Sequence, residues 1–285
     1  MKYAFVSILS TENYLAGILT MFNSLKATNT KIPLLCLIHE SLTDYTEDII
    51  KKCGIDTKRV QNIQNPVNQN KDDRKYYNYN KLNIFGLVQY DKVVYIDADM
   101  VIFKNIDDLF EHKHMSGTNA GGELPNFKLT WLELNSGLMV IEPNSDTFED
   151  MKSKIGTLNV TDVGDQAFLH QYYKGWARKR ELHISHVYNT FHCHLDGYVS
   201  QLGYICPDDY PCSSELLNEK KLIRIIHYIG KEKPWMNIDK IAMEKTNNKK
   251  SLSEKLWIKA FKDFYSKIGC KLSENEKLYI LNSGL

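Results

Sequence analysis

The 285-residue chain is 43% hydrophobic, enough for a substantial core, and its 36 basic and 35 acidic side chains leave a formal net charge of +1. That balance argues against a general polyanion binder such as a nucleic-acid protein, so any phosphate site must be local. No Gly/Ser- or Pro-rich linker divides the chain, no apolar run approaches a membrane span, Met1-Lys2-Tyr3 opens no signal-peptide pattern, and cysteines 36, 53, 193, 206, 212 and 270 lack a paired C-x-x-C; these features predict one domain over residues 1–240, a tail over 241–285, reduced thiols and a cytoplasmic location.

Tyr3-Ala-Phe-Val-Ser-Ile-Leu9 reads as a first strand, ended by the polar turn Ser10-Thr-Glu-Asn13. From Tyr14 the period changes: Leu15, Ile18, Leu19, Phe22 and Leu25 recur at three- and four-residue spacing, as one face of a helix requires. Residues 32–38 supply a second strand, and residues 43–53 a helix stopped by Gly54. This alternation predicts an α/β fold with a parallel, doubly wound sheet. Tyr14, at the carboxyl end of the first strand, can stack on a planar ring or simply pack. Neither G-x-G-x-x-G nor a Walker loop occurs, which weakens a dinucleotide or P-loop reading.

Residues 61–80 are rich in Asn, Gln, Asp and Tyr and read as a long, lid-type loop, to which Arg74 and Lys75 give positive charge. Residues 79–90 read as a helix with Leu82, Phe85 and Val88 inward; Lys81, in its first turn, is on position alone a solvated lysine. The next stretch is Lys92-Val-Val-Tyr-Ile-Asp-Ala-Asp-Met-Val-Ile102, an apolar strand that ends in two carboxylates, Asp97 and Asp99. In an open α/β sheet, ligands bind at the carboxyl ends of strands. Side chains at i and i+2 of an extended chain share a side, so both carboxylates can face one hard divalent cation together with phosphate oxygens. An isolated D-x-D is more often two solvated acids. Here both charges follow a core strand directly, at a desolvation cost that a cation would offset.

Residues 105–110 look like a short capped helix whose Leu109 and Phe110 pack back on the sheet, and residues 115–134 read as loop. Asn135-Ser136-Gly137 precedes a strand over 138–141 and suits either a plain turn or contact with a sugar hydroxyl. A helix over 145–158 follows, then Thr161-Asp-Val-Gly-Asp-Gln166 opens another. There Asp162 or Asp165 can cap the helix, or a carboxylate and the Gln166 amide can stand beside a reacting carbon. His192-Cys193-His194 lacks the partner motif that zinc needs. Leu222-Ile-Arg-Ile-Ile-His227 reads as a buried strand ending in a metal-capable side chain. After it, Gly230, Lys231, Lys233 and Pro234-Trp235 form a basic turn suited to a diphosphate. The tail begins with a Lys/Asn-rich link and continues as a helix whose Leu256, Trp257, Ala260, Phe261 and Phe264 predict packing on the main domain.

Taken in order, these motifs resemble the glycogenin-like retaining glycosyltransferases (family 8, GT-A fold). The match runs from Ala4 to about Trp235. It comprises Ala4-Phe-Val, Asn80-Lys-Leu82, residues 93–110 with Asp-Ala-Asp and Asn-Ile-Asp-Asp-Leu-Phe, Asn135-Ser-Gly137, Gly164-Asp-Gln166, and His227-x-x-Gly230-x-x-Lys233-Pro-Trp235. The resemblance implies a mixed, mainly parallel sheet flanked by helices, with a C-terminal helical extension. It also implies a UDP-sugar donor, UDP-glucose first, and transfer to a hydroxyl of a glycan or protein. Asp97, Asp99 and His227 would hold Mn²⁺, with Mg²⁺ as the alternative, bridging the donor's diphosphate. His227 would bind through a neutral imidazole nitrogen while a partner fixes the other. Gly230 and Lys233 would contact the diphosphate, Tyr14 would stack on uracil, and Ile8 and Ser10 would border the base. Lys81, Asn135, Asp162, Asp165 and Gln166 would surround the sugar, with Ala98, Ser136 and Gly137 completing the donor site.

In such a transfer a metal held there and Lys233, with Lys81 as a further candidate, would neutralise the departing diphosphate. Asp165, or alternatively Gln166, helps on the far face of the sugar, and same-face attack is the remaining route. The departure from the family lies after Tyr188-Asn189, a pair resembling the one that precedes the self-glucosylated tyrosine of glycogenin. Thr190-Phe-His-Cys-His-Leu-Asp-Gly-Tyr198 has no tyrosine at the matching offset. Tyr198 or Tyr204 would have to substitute, in the same chain or across a homodimer. A separate acceptor is therefore expected, with residues 203–219 shaping its site. The alternatives are a self-glucosylating primer and a catalytically silent sugar-nucleotide or glycan-binding protein.

Overall fold

The computed structural model describes residues 1–68, 70, 75–124, 131–160, 164–208, 210, 212, 218–237, 251–268 and 271–284. Its main sheet starts from apolar runs that bury both faces. β1 (Tyr3–Leu9), β2 (Leu34–His39), β3 (Asp56–Val60) and β4 (Lys92–Ile96) pair in parallel, with β1 in the middle. Beyond β4 the sheet changes direction: β7 (Leu134–Ile141) runs antiparallel to β4, and β6 (Gly117–Asn119) antiparallel to β7. The order is β3-β2-β1-β4-β7-β6. The doubly wound expectation thus holds for four strands, and the remaining edge makes the sheet mixed.

The stretch around the two aspartates is not one strand. β4 stops at Ile96, a turn carries Asp97-Ala98-Asp99, and β5 (Met100–Ile102) enters a second sheet of order β5-β9-β8. There β9 (Ile225–His227) pairs antiparallel with β5 and parallel with β8 (Thr190–Phe191). Met100 opposes His227 in that register, so the end of β9 lies next to the aspartate turn. The buried-type run before His227 contributes only three residues to the ladder; Leu222 and Ile223 are buried outside it.

Helices cover the main sheet. α1 (Leu15–Ala27) crosses from β1 to β2 with residues 15–25 all buried. α2 (Asp44–Lys52) is capped by the Thr43 side chain, which accepts from Thr46 N–H, and ends before Gly54 at φ +70°. α3 (Ser145–Lys154) is shorter than the helix expected over 145–158, and α4 (Asp165–Tyr172) and α5 (Leu195–Leu202) follow. The helix expected over 79–90 is instead a 3-10 segment, Asn78–Gly86, and Val88 lies beyond its end, 58% exposed. The 105–110 cap is a local turn, with Asn105 Oδ1 accepting from Asp107 N–H before the 3-10 segment Asp107–Glu111.

In the tail, α6 (Leu252–Ile268) buries Leu256, Trp257, Ala260, Phe261 and Phe264, and α7 (Glu274–Asn282) opens with a Ser273/Glu276 capping box. Trp257 lies 6.0 Å from Trp235, centroid to centroid. Trp235 in turn fills the space over Gly17 of α1, where a Cβ would stand 2.6 Å from the indole. Packing at that spot requires glycine.

Candidate active site

Two lysines and three carboxylates meet at the carboxyl ends of β1 and β4, in a cleft of about 820 Å³. Lys81, 8% exposed, projects from the 3-10 segment between Asp97 Oδ1 at 3.1 Å and Asp165 Oδ2 at 3.0 Å, and donates to Ser136 O at 3.1 Å. Burial alone would lower its pKa; Asp165 and Asp97 more than reverse this, so the ammonium is held above the ordinary lysine value. The expectation of a solvated Lys81 on position alone is therefore overturned. Tyr95 Oη donates to Asp97 Oδ1 at 2.5 Å. Burial first and Asp97 second push that phenol's pKa up, keeping it a donor.

Asp99 faces the other lysine. It is 8% exposed and pairs through Oδ2 with Lys233 Nζ, while Oδ1 lies 3.1 Å from His227 Nε2. Burial would raise its pKa, but His227 and Lys233 overcome that and hold the carboxyl well below the usual range. Asp97 Oδ2 is 4.0 Å from the same His227 nitrogen. Donor atoms of Asp97, Asp99 and His227 all lie within 4.8 Å of one another, the one such cluster among the described residues. Ligands about 2.2 Å from a shared ion lie about 3.1 Å apart at right angles and at most about 4.4 Å apart, so these donors need to draw together only slightly to share one cation. Two carboxylates and one imidazole are hard to borderline donors, as Mn²⁺ and Mg²⁺ accept. Asp97, Asp99 and Asp165 against Lys81 and Lys233 leave this inner cluster with one net negative charge, counting His227 as neutral, while Lys75 and Lys231 line the cleft outside it.

Gly137 makes this convergence sterically possible. A Cβ there would stand 2.6 Å from His227 Cε1 and 3.0 Å from Asp97 Oδ2. Asn135-Ser136-Gly137 is thus not a turn before a strand but part of β7, passing behind the donor atoms. Its polar groups are ordered from both sides: Gly137 N–H donates to Asn135 Oδ1 at 3.0 Å, and Ser136 N–H to Gln166 Oε1 at 3.1 Å.

Of the residues expected to bind the donor, Ile8, Ser10, Tyr14, Lys81, Asn135, Ser136, Asp165 and Gln166 line the cleft. Asp97, Ala98, Asp99 and Lys233 also line it, while His227 and Gly137 are tied to it by the contacts above. Tyr14 packs edge-on against Trp235 at 5.4 Å, and Asn13 O accepts from the Trp235 indole N–H. Gly230 does not line the cleft; it adopts φ +105°, where glycine is favoured, and so shapes the loop carrying Lys233. Asp162 and Arg74 lie outside the described residues. The His192-Cys193-His194 triplet gathers no further ligand among the described residues; His192 stacks on Tyr228 and contacts His227 O.

The sequence model of glycosyl transferase family 8 matches residues 5–239. The chain belongs to that family. Inositol phosphorylceramide glucuronosyltransferase 1 of Arabidopsis thaliana is 30% identical over 238 residues, covering 82% of this chain and 42% of that protein. Glycogenin-1 of Mus musculus is 26% identical, covering 81% of this chain and 65% of its own length. The chain spans less than half the length of the plant glucuronosyltransferases it matches. Among solved structures, an active-site mutant of LgtC superposes with TM-score 0.60 at 12% identity, covering 97% and 99% of the two chains. GlyE of Streptococcus pneumoniae gives 0.59 at 18%, covering 95% of this chain and 64% of its own. At these identities the likeness is one of fold, and the fold is GT-A.

Three features of this family 8 site were not foreseen. Trp131 lines the cleft with 67% of its surface exposed. Tyr95 serves Asp97 in addition to filling the core. Asn189, a sequence landmark, is wholly buried and bonded to His227, Asn135 and Thr118. Those partners are 38 to 71 residues away, so no local pattern could have pointed to them.

Proposed function

We propose that this chain is a metal-dependent retaining glycosyltransferase that moves a hexose from a UDP-sugar to a hydroxyl of a separate glycan or protein. The observation that carries the reading is the meeting of Asp97, Asp99 and His227 with the Lys81–Asp165 pair in one cleft. Its volume, about 820 Å³, falls in the range of small-molecule sites. Bound Mn²⁺, or Mg²⁺, would supply Lewis-acid neutralisation of the leaving diphosphate. Lys233 would exchange Asp99 for a phosphate oxygen, with Gly230 setting the loop. Tyr14, Ile8 and Ser10 would take the base. Asn135 and Gln166 would orient the sugar; Gln166 has its carbonyl committed to Ser136 N–H, which leaves its amide N–H₂ as donor. Asp165, held by Lys81, is then the better candidate to face the anomeric carbon as nucleophile or electrostatic partner.

A separate acceptor is supported by the tyrosines that self-transfer would need. Tyr198 and Tyr204 are 0% and 4% exposed, and their hydroxyls are engaged by His186 and Glu123. Trp131, exposed at the cleft, offers a face on which an acceptor sugar ring can stack. Glucose is the first donor on the likeness to glycogenin. Glucuronate is a second reading, favoured by the names of the plant relatives. A cytoplasmic setting fits the five described cysteines, all free thiols; no described helix is long and apolar enough to cross a membrane. The experiment is a panel of UDP-glucose, UDP-galactose and UDP-glucuronate with Mn²⁺, with and without glycan acceptors, read by UDP release and intact-protein mass. Sugar on the added acceptor at unchanged protein mass is the expected result. A ladder of hexose additions to the protein would establish self-transfer instead, and no UDP release with any donor would favour a silent binding protein.

A further inference from the structure

Asn189 sits between the 3-10 turn His186–Tyr188 and β8, with no exposed surface. Its Oδ1 lies 2.9 Å from His227 Nδ1, and its Nδ2 donates to Thr118 Oγ1 at 2.8 Å and Asn135 Oδ1 at 3.0 Å. The orientation of this amide follows from the backbone. Gly137 N–H donates to Asn135 Oδ1, fixing that oxygen as an acceptor facing Asn189. Only the N–H₂ end of Asn189 can meet it, so the carbonyl end must face the imidazole. A carbonyl accepts and cannot donate, hence His227 Nδ1 must carry a proton. In the neutral imidazole that a cation would bind, the lone pair is then on Nε2, the nitrogen 3.1 Å from Asp99 Oδ1 and 4.0 Å from Asp97 Oδ2; without a cation that nitrogen can carry a second proton shared with Asp99.

We infer that Asn189 is a positioning residue joining the two halves of the site: one end orients His227 for a cation, and the other holds Asn135 for the sugar. The inference rests on the proposed transferase reading for the identity of those halves, though the hydrogen-bond relay does not depend on it. From Gly137 N–H the relay runs through Asn135 and Asn189 to His227 Nδ1, so the strand behind the site and the nitrogen facing the aspartates are set by the same buried amide. Outer partners of metal-binding histidines typically change metal affinity about 10–100-fold when removed.

The test uses the intact chain labelled with ¹⁵N-histidine, the His227 resonances being assigned by their loss in His227→Gln. In the wild type, the one-bond correlation of His227 Nδ1–H should be present and slow to exchange, with or without Mg²⁺ and UDP. Asn189→Leu should abolish that signal and weaken Mn²⁺ binding, read by electron paramagnetic resonance, about 10–100-fold. Asn189→Asp keeps an acceptor for His227 but loses the donor to Asn135. It should retain the Nδ1–H signal and most Mn²⁺ affinity while losing the affinity gained by UDP-sugar over UDP. A folded Asn189→Leu variant with an intact Nδ1–H signal would overturn the inference, as would an Asn189→Asp variant that loses it. If Asn189→Leu does not fold, Asn189→Asp alone decides. Should the protein bind no Mn²⁺, the transferase reading fails while the imidazole signal still reports on Asn189.

Discussion

Lys81 and Lys233 are both buried and each neutralises one carboxylate of the same Asp97-Ala98-Asp99 turn, yet they are held differently. Lys81 comes from a segment packed against the main sheet and is fixed by two carboxylates and the Ser136 carbonyl. Lys233 comes from the loop after β9 and holds one carboxylate and the Tyr228 carbonyl. Moving Lys81 would leave Asp97 and Asp165 facing each other with no positive charge between them. Moving Lys233 frees the Tyr228 carbonyl and a single carboxylate, Asp99, which a cation beside His227 could neutralise. On the proposed reading, Lys81 is a fixed post and Lys233 an exchangeable counter-ion, which would let the site take up a cation and a diphosphate together.

The largest effect should come from the carboxylate that Lys233 and His227 share. Asp99→Asn is expected to lower Mn²⁺-dependent UDP release on the order of a thousandfold, and excess chelator should do the same to the wild type. Turnover surviving either treatment would remove the metal from the exchangeable half. Next, Lys81→Met should lower kcat about a hundredfold and cost about 3 kcal/mol of stability by leaving buried charge unpaired. Denaturant unfolding of the double variant Lys81→Met/Asp165→Asn should recover part of that loss. A single variant as stable as the wild type would show that Lys81 is no fixed post.

A buried base without a strong counter-charge sharpens the contrast. His186 is 1% exposed, and burial pushes its pKa down to about 4, with Glu123 too weakly coupled to reverse the shift. Because the folded value lies below the ordinary 6.5, the unfolded chain binds more protons between those values. Stability should therefore be lost as pH falls from about 6.5 to about 4, by up to about 3 kcal/mol. Urea titrations at pH 7 and 4.5 should show the loss, and His186→Gln should flatten it; an unchanged slope would refute the assignment. The smallest effect belongs to Lys233→Ala, expected to weaken UDP binding about tenfold or somewhat more and uridine binding hardly at all. Calorimetry giving equal losses for both ligands would take Lys233 away from the diphosphate.

Much of this arrangement was legible because its signals are local. The run Val93–Ile96 ends at Asp97, the helical period of α1 is unbroken, and His227 closes an apolar run, so each could be read within a few residues. What sequence hid was non-local. The break between β4 and β5 depends on β9 pairing with β5 from the far side of the chain. Strand β3, Asp-Thr-Lys-Arg-Val, has too few apolar residues to announce itself and forms on the edge of the main sheet. Val88 was placed inward by helical counting that the 3-10 segment ends at Gly86. Lys81 looked solvated because its two carboxylates come from other elements.

On the proposed reading, a divalent cation joins Asp97, Asp99 and His227 and displaces Lys233 from Asp99 when nucleotide binds. Diffraction data collected at the manganese edge from crystals grown with Mn²⁺ and UDP test it directly. The expected result is one anomalous peak about 2.2 Å from a carboxylate oxygen of each aspartate and from His227 Nε2, with Lys233 Nζ on a phosphate oxygen. UDP bound in the cleft with no peak among those three side chains, and Lys233 still paired with Asp99, would contradict it.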